Sequence, residues 1–340
     1  IYVYDLTTNA SSLVSNDAQA ETLVAAVSSG VLFTRKGGGG EDDLFYYSRS
    51  GGLAEVGSDL GTTVGAQSKE YKGQTTDGKV VFEAQGTTKD VYIWDSKTGS
   101  SRTIGAGILE ETFVAITAIN EVVIQTQTGA GQRDLAIYRP TTNTAGVISV
   151  STDNDVYNGA LANGDVIFTR ETATGNDLFV YDTSANSSAA LQATSTDDYT
   201  FHAVLGNNKV AYSLAGVSGG VFIIDPATST VSTVSNVANS TYGGLGPDTG
   251  DIVAVVPVSS QTDLVLWDES ASNPVTMTTA AGNEGFGASF ADGKVLFTRI
   301  VAPKTTRDLF VWNQTGATEA QVTDTTDDHT VVTTFDADAR

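Results

Sequence analysis

The hexapeptide DLFVYD, residues 177–182, is one copy of a strand pattern that recurs along the whole chain. The pattern is an acidic residue, an aliphatic one, an aromatic or aliphatic one, another aliphatic one, a large residue and a polar one. The other copies are IYVYD from Ile1, which lacks the first residue, DLFYYS from Asp43, DVYIWD from Asp90, DLAIYR from Asp134, GVFIID from Gly220, DLVLWD from Asp263 and DLFVWN from Asp308. Short runs of aromatic and β-branched residues are typical of strands. The full copies start 43 to 47 residues apart, which predicts a repeat fold.

Each copy belongs to a unit of four predicted strands, which we label A, B, C and D in chain order. Strand A is rich in small residues, strand B is apolar, strand C is the repeated hexapeptide, and strand D is short. Most B strands follow a turn of two residues: Gly78-Lys79, Gly164-Asp165, Asn208-Lys209, Gly250-Asp251 and Gly293-Lys294. Such turns supply the positive φ that a tight hairpin needs.

A single unit cannot bury both faces of its sheet, whereas a closed series of units can. The sequence therefore predicts an all-β fold, a β-propeller of four-stranded antiparallel blades, as a single domain over residues 1–340. Eight A, seven B, eight C and eight D strands favour eight blades over seven. The closing blade would then take strand A from the C-terminus and strands C and D from the N-terminus. Seven complete blades with a spare C–D hairpin are the alternative.

The fifth residue of strand C is large in every copy. These residues are Tyr4, Tyr47, Trp94, Tyr138, Tyr181, Ile224, Trp267 and Trp312. An aromatic binding platform is one interpretation. A fixed large residue in every central strand better predicts a packing layer between neighbouring sheets, because aromatic side chains bury a large apolar area.

The segment from Lys294 to Asp328 resembles the repeats of TolB-like, or WD40-like (PD40-type), bacterial propellers. The similar features are a strand ending in Thr-Arg (KVLFTR), the strand RDLFVWN, a following Gly and an acidic loop. The chain departs from that pattern because only three B strands end in Thr-Arg, at Arg35, Arg170 and Arg299, and because the Ser-Pro-Asp-Gly turn is missing. The resemblance implies a propeller. Its class includes interaction scaffolds, domains attached to peptidases and some polysaccharide lyases, so it does not specify a function.

Composition limits the partners. The net charge of −22 repels nucleic acid and anionic lipid surfaces. The sequence has no run of about 18 apolar residues, the pattern that would predict membrane insertion. The absence of cysteine excludes disulfides. Low lysine with abundant Asp, Thr, Ser, Asn and Gly resembles secreted proteins of marine or salt-adapted microbes, so we expect an extracellular, periplasmic or cell-surface location; a soluble surface kept from aggregating by its charge is the alternative. Regular units without a catalytic constellation favour a protein or carbohydrate partner. The oligomeric state stays open.

The first residue of strand A differs from unit to unit, although the rest of the repeat is regular. The residues at or next to this position are Glu21, Lys69, Glu111, Asp155, Tyr199, Glu284 and, in the last unit, His329. Strand A starts beside the channel mouth of a propeller, so these side chains are predicted to bind a ligand; ordinary polar loop ends are the alternative. The three B-strand arginines are expected to pair with Asp43, Asp177 and Asp308, on the side away from the loop into strand A.

His202 lies in strand A and breaks the symmetry of the repeat, which makes it the candidate catalytic residue. Asp153, Asp155, Asp197 and Asp198 are candidate Ca²⁺ ligands, with solvated loops as the alternative, and no other cofactor is evident. No HExxH or GxxxxGK[ST] motif occurs. We therefore favour a non-enzymatic exported or cell-surface propeller that binds a protein or glycan at its channel-mouth face. A polysaccharide-active lyase or hydrolase with its site at the channel is the alternative.

Overall fold

The structure is a computed structural model that describes residues 1–27, 30–61, 64, 67–86, 88–105, 109–128, 131–193, 197–216, 219–301, 305–323 and 326–331. Within these ranges the chain forms thirty β-strands, and a 3₁₀ turn covers Ser58–Leu60. None of the helical segments in these ranges has the length and apolar character that a membrane crossing requires.

The strands fall into four sets according to their place in the repeat. The A strands are β3 (Glu21–Val27), β7 (Lys69–Gln74), β11 (Glu111–Ile116), β15 (Asn154–Ala160), β19 (Tyr199–Val204), β23 (Thr241–Leu245) and β27 (Glu284–Phe290). The B strands are β4 (Gly30–Lys36), β8 (Lys79–Gln85), β12 (Val122–Thr128), β16 (Val166–Thr172), β20 (Val210–Leu214), β24 (Ile252–Val258) and β28 (Lys294–Ile300). The C strands are β1 (Tyr2–Asp5), β5 (Asp42–Ser48), β9 (Lys89–Asp95), β13 (Gln132–Arg139), β17 (Gly175–Asp182), β21 (Gly220–Asp225), β25 (Gln261–Asp268) and β29 (Arg307–Asn313). The D strands are β2 (Ala10–Leu13), β6 (Gly52–Glu55), β10 (Ser100–Thr103), β14 (Thr144–Val147), β18 (Ser187–Gln192), β22 (Thr230–Ser235), β26 (Asn273–Thr276) and β30 (Thr318–Gln321).

Eight sheets follow one another along the chain. Seven have four strands in the order A-B-C-D, which we number blade 1 (β3–β6) to blade 7 (β27–β30), and β1 pairs with β2 in a two-stranded sheet. The predicted all-β fold and the eight-repeat count are confirmed, with seven B, eight C and eight D strands in the described residues. The eighth A strand, predicted at the C-terminus, falls mainly on residues 332–340, outside the described residues, so the closing blade stays a prediction.

Two compact units divide the chain: Ile1–Asp165 with Asp182–Ser188, and Val166–Tyr181 with Ala189–Arg340. In the first unit, Leu44 and Tyr46 of blade 1 pack against Phe82 and Trp94 of blade 2. In the second unit, Leu264 and Leu266 of blade 6 share a core with Phe297 and Trp312 of blade 7. The apolar core therefore lies between successive sheets in each unit. The single domain predicted over residues 1–340 stays a prediction.

The fifth residue of strand C belongs to this core, as predicted. Six of the eight are buried, Tyr47 is half-buried, and Tyr4 of the N-terminal sheet is 52% exposed. Trp94 meets Tyr46 of blade 1 edge to face, with ring centroids 5.2 Å apart. The series is a packing layer in blades 2 to 7.

The predicted hairpin turns between strands A and B have left-handed backbone. The φ values are 93° at Gly78, 93° at Gly164, 64° at Asn208, 94° at Gly250 and 83° at Gly293. A second series of left-handed residues directly precedes strand D: Asn9, Gly99, Asn143, Asn186, Ser229, Ser272 and Ala317. Glycine and asparagine tolerate this conformation best, so the turn chemistry fixes where strands B and D begin.

Candidate functional site

The first residue of strand A lies directly opposite the end of strand B. In blade 1, Glu21 is the partner of Arg35, and Arg35 is the partner of Asp43 in strand C. Strands A and B are antiparallel, so the end of B returns to the start of A. The expectation that the arginines lie away from the loop into strand A is therefore wrong. We call these three positions the charged row.

Blade 7 shows the charged row in its most buried form. Arg299 is 3% exposed, and its Nε donates to Glu284 Oε1 at 2.6 Å. Its two terminal nitrogens donate to the two oxygens of Glu319 on strand D, both at 2.7 Å. The Thr278 hydroxyl donates to Glu284 as well. Burial raises the pKa of Glu284 above its ordinary value, against the lowering effect of these hydrogen bonds.

Two residues along strands B and C from the charged row, on the same face of the sheet, lie two stacked aromatic rings in blades 1, 4 and 7. The arginine of the charged row covers these rings. The guanidinium carbon of Arg299 is 4.6 Å from the ring centroid of Phe310, which stacks on Phe297 at 5.5 Å. The same guanidinium-over-ring contact occurs in the other two blades: Arg35 over Phe45 at 4.3 Å, and Arg170 over Phe179 at 4.6 Å. An arginine on paired rings thus fills this part of blades 1, 4 and 7.

The other predicted ligand-binding residues are mostly enclosed. Arg35 donates to Glu21 at 2.9 Å, and the hydrogen bonds from Ser15 and Arg35 hold the pKa of Glu21 below its ordinary value although its desolvation acts the other way. Lys69 is buried, and its Nζ donates to Asp43 and to Glu55 of blade 1, at 3.0 Å each. These side chains take part in ion pairs within the protein, and their predicted role in ligand binding stays a prediction.

Blade 5 carries the candidate catalytic histidine. His202 Nε2 is 2.9 Å from the Ser213 hydroxyl oxygen, and its ring stacks on Tyr242 with centroids 4.6 Å apart. Burial lowers the pKa of His202 below its ordinary value, which favours the neutral imidazole. Tyr199 is buried and donates to Asp197 at 3.3 Å. His329 is half-buried, and its backbone N–H donates to the Arg307 carbonyl.

The candidate calcium ligands do not converge. The backbone N–H of Asp153 donates to the Ser151 hydroxyl oxygen at 3.1 Å, Asp155 is buried, and Asp198 accepts the backbone N–H of Asn176 at 3.1 Å. In the part of the chain that the structure describes, no three acidic or histidine side chains stand close enough together to hold a metal ion. The structure thus brings no donor set together from these four residues.

Blade 3 has an acidic residue at the start of strand A, as blades 1, 4 and 7 do, but the rest of its charged row differs from theirs. Its charged row is Glu111, Thr126 and Asp134, and the neighbouring row pairs Ile124 with Ala136 instead of two aromatic rings. Cross-strand partners project from the same face of a sheet, so these five side chains share one face. Where blades 1, 4 and 7 have an arginine and two rings, blade 3 has a threonine, an isoleucine and an alanine.

A cavity of about 770 Å³ occupies this part of blade 3. Ile104, Ile124, Ala136 and Val147 form apolar parts of its wall, and Val150, 83% exposed, lies at its rim. Glu111 and Asp134 line the same space, and all of the lining residues belong to the first compact unit. The cavity thus combines an apolar wall with two buried carboxyl groups.

Asp134 is 6% exposed and only partly satisfied. Its Oδ2 accepts from the Thr128 hydroxyl at 3.0 Å, whereas its Oδ1 has no hydrogen-bond donor among the described residues. The equivalent Asp308 in blade 7 accepts from Gln321 of strand D at 3.2 Å. Val147 takes the place of Gln321 in blade 3 and cannot donate.

Glu111 adds a second acidic side chain to this region. Burial together with the charges of Asp90 and Glu111 raises the pKa of Tyr92 on the neighbouring blade to about 12. Gly105 precedes strand A of blade 3 where Thr278 precedes that of blade 7, and a Cβ at position 105 would overlap the Glu111 carboxyl group. The glycine therefore makes room for this carboxylate.

Sequence reasoning selected Glu111 but missed the cavity. The signal was present in the repeat alignment, because DLAIYR has Ala136 where five of the other six full copies have Phe or Tyr, and VVIQT has neither Phe nor Arg. The A-strand residues and the B-strand arginines form one row because strands A and B are antiparallel.

Comparisons with known proteins concern the fold. No protein-family profile and no curated protein matches the sequence. Among solved structures, dipeptidyl peptidase 4 of Porphyromonas gingivalis matches with a TM-score of 0.51 at 8% identity, over 86% of this chain and 51% of its own. Seven four-stranded sheets in strand order agree with this likeness. The chain is a β-propeller.

Two further matches are weaker. The β-propeller domain of the Trilobed protease from Pyrococcus furiosus has a TM-score of 0.40 at 13% identity, over 89% of this chain and 98% of its own. A putative TolB from Agrobacterium tumefaciens has 0.36 at 11%, over 68% and 87%. The propeller spans about half the length of dipeptidyl peptidase 4, so that enzyme's activity is not carried over.

Proposed function

We propose that this propeller is a non-enzymatic exported or cell-surface scaffold of the TolB-like kind that binds a protein partner at the blade 3 cavity. The observation that supports it is the cavity itself, which replaces the arginine and rings that fill the same place in blades 1, 4 and 7. Protein interiors and interfaces are closely packed, and a space of this size in one repeat of a series is suited to hold a ligand.

The lining favours a protein over a glycan. Ile104, Ile124, Ala136 and Val147 offer apolar surface, and Val150 extends it to the rim. Sugar hydroxyls that face these apolar side chains would find no hydrogen-bond partner on that part of the wall, which costs free energy. Apolar side chains of a protein would gain free energy from the same contact.

Photocrosslinking tests this proposal. We would replace Val150 by p-benzoylphenylalanine, expose the protein to surface or secreted extracts of the source organism, and identify the products by mass spectrometry. The control carries the same photoreactive residue at Leu245, an exposed position in the second unit. We expect a specific protein product from position 150, lost when Ala136→Phe restores the aromatic residue of the other blades. Equal products from both positions, or a product that Ala136→Phe leaves unchanged, would contradict the proposal.

A polysaccharide-active enzyme is the second candidate, favoured by the contact between neutral His202 and the Ser213 hydroxyl. A neutral imidazole beside a hydroxyl is able to take up a proton. His202→Ala should abolish depolymerisation of acidic or neutral polysaccharides if this candidate holds. Undetectable activity in the unmodified protein, or activity that His202→Ala leaves unchanged, would end it.

A further inference from the structure

We infer that the blade 3 cavity binds an arginine side chain of the partner, placed between the apolar wall and the carboxyl groups of Glu111 and Asp134. This inference rests on the proposed function and names the chemistry of its ligand. The partner's guanidinium would lie beside Glu111 as Arg35 lies beside Glu21 and Arg299 beside Glu284. It would in addition reach Asp134, whose equivalents Asp43 and Asp308 are bonded by other side chains, Lys69 and Gln321.

The other blades show what fits this place. Three B strands carry the tripeptide Phe-Thr-Arg, at residues 33–35, 168–170 and 297–299. In each, the arginine lies over the phenylalanine two residues before it and over a second ring from strand C. Blade 3 keeps the acidic residues at both ends of the charged row but has Thr126 between them. In blades 1 and 7 the arginine at this place bonds the strand A acid, Glu21 or Glu284, so the ligand that we assign beside Glu111 is a guanidinium with an apolar neighbour.

The buried oxygen of Asp134 supports this assignment independently. Asp134 Oδ1 lies in the cavity wall without a hydrogen-bond donor among the described residues. A buried acceptor left without a donor is costly, and a charged donor recovers that cost. In blade 7, Gln321 of strand D is the donor to the equivalent aspartate. Blade 3 has Val147 at that position, whose side chain cannot donate, so a ligand would have to supply the donor for Asp134 Oδ1.

The geometry of blade 7 favours a guanidinium over an ammonium group. Arg299 bonds two carboxylates at once, Glu284 through Nε and Glu319 through both terminal nitrogens. A planar guanidinium is weakly hydrated and lies flat on an apolar surface, whereas an ammonium group keeps its water more strongly. The apolar wall of Ile104, Ile124 and Ala136 therefore suits a guanidinium better than an ammonium group. The net charge of −22 also attracts cationic partners.

Calorimetric titration with defined peptides tests the inference. The probe is acetyl-Phe-Thr-Arg-amide, which carries the two side chains found together in blades 1, 4 and 7. Acetyl-Phe-Thr-Lys-amide and acetyl-Phe-Thr-Gln-amide are its matched controls. We expect saturable binding of the arginine peptide at one site, with both controls at least about tenfold weaker, as expected when a charged bidentate contact is lost. Equal binding of the lysine peptide, or no binding of the arginine peptide, would overturn the inference.

Three variants locate the binding. Glu111→Gln and Asp134→Asn should each weaken the arginine peptide about tenfold, as for a hydrogen bond to a charged group. Glu110→Gln removes an exposed carboxylate from the adjacent position and should leave the affinity unchanged. Circular dichroism would check that each variant is folded. If either buried variant is unfolded, Ala136→Phe replaces it as the test, because it keeps both carboxylates while filling the cavity and should abolish binding.

The two proposals fail in different ways. A protein product from position 150 that Ala136→Phe removes, together with equal affinity for the arginine and lysine peptides, would refute the arginine assignment and leave the partner site standing. Loss of affinity in Glu110→Gln as large as in Glu111→Gln would also refute the assignment. Absence of both the crosslink and peptide binding would refute the proposed function as well.

Discussion

Lys69 shows at the scale of one residue how the charged row contributes to stability. Its side chain is wholly buried, and its ammonium group joins Asp43 and Glu55 of the preceding blade. A buried ion pair gains little over an apolar pair of the same shape, but removing one partner leaves the other charge uncompensated. The sequence placed Lys69 correctly at the start of strand A. It could not show that the side chain turns inward, because that depends on which residues of the preceding blade face it.

We predict that Lys69→Met lowers the free energy of unfolding by about 3 kcal/mol, the low end for a broken buried pair because Asp43 and Glu55 keep some contact with water. Equilibrium urea denaturation measures it. Lys36→Met, which removes an exposed pair with Asp42, is the control and should change the free energy by less than about 1 kcal/mol. Equal effects of the two substitutions would show that burial of Lys69 does not matter.

His202 gives a prediction on pH dependence. Burial holds its pKa below the ordinary value of 6.5, so the folded protein binds this proton less readily than the unfolded chain. The stability that a neutral His202 contributes is therefore complete above pH 6.5 and is lost as the pH falls through the pKa of the folded state. We expect the wild-type protein to lose more free energy of unfolding between about pH 7.5 and about pH 5 than His202→Gln, which cannot titrate. Parallel pH profiles of the two proteins would contradict this.

The turns before strand D require a residue with left-handed backbone conformation. The same turn position is left-handed in seven turns, at φ between 47° and 68°, and Ala317 is the residue least suited to it. The sequence predicted the turns before strand B from their Gly and Asn residues. It did not single out position 317, because alanine carries no turn signal and only the repeat register reveals its conformation.

Exchanging alanine and glycine at this position tests the point with two opposite substitutions. Ala317→Gly should stabilise the protein by about 0.5–1 kcal/mol, because it removes the left-handed strain of a residue with a Cβ. Gly99→Ala should destabilise it by a similar amount, since an added Cβ there meets no atom within 4 Å and acts only through the backbone. Thermal unfolding measures both. Changes of the same sign would show that φ is not the governing factor.

Strand C shows which features of a strand could be predicted from the sequence. Its eight copies gave the register, the hairpins and the buried fifth residue, because these follow from local alternation and turn chemistry. Side-chain contacts across strands needed the structure. Arg35 was expected to pair with Asp43, yet its described hydrogen bonds and closest ion pair go to Ser15 and Glu21.

In the whole molecule, the similarity of the repeats makes the differences in blade 3 recognisable. The architecture followed from the spacing of strand C, since a repeat fold buries its core only between neighbouring units. The blade 3 cavity did not, because it results from three ordinary residues, Ile124, Thr126 and Ala136, whose meaning appears only beside the filled blades. The chemistry of the site is thus read from what the equivalent blades contain.

The substitution Thr126→Arg tests the central claim most directly, because it supplies from strand B the guanidinium that we assign to the partner. The measurement is the affinity of acetyl-Phe-Thr-Arg-amide for this variant and for the wild-type protein, by calorimetric titration on folded samples. We expect the variant to bind the peptide at least about tenfold more weakly, because its own side chain occupies the charged row. An unchanged affinity would contradict the assignment of the blade 3 cavity as an arginine site.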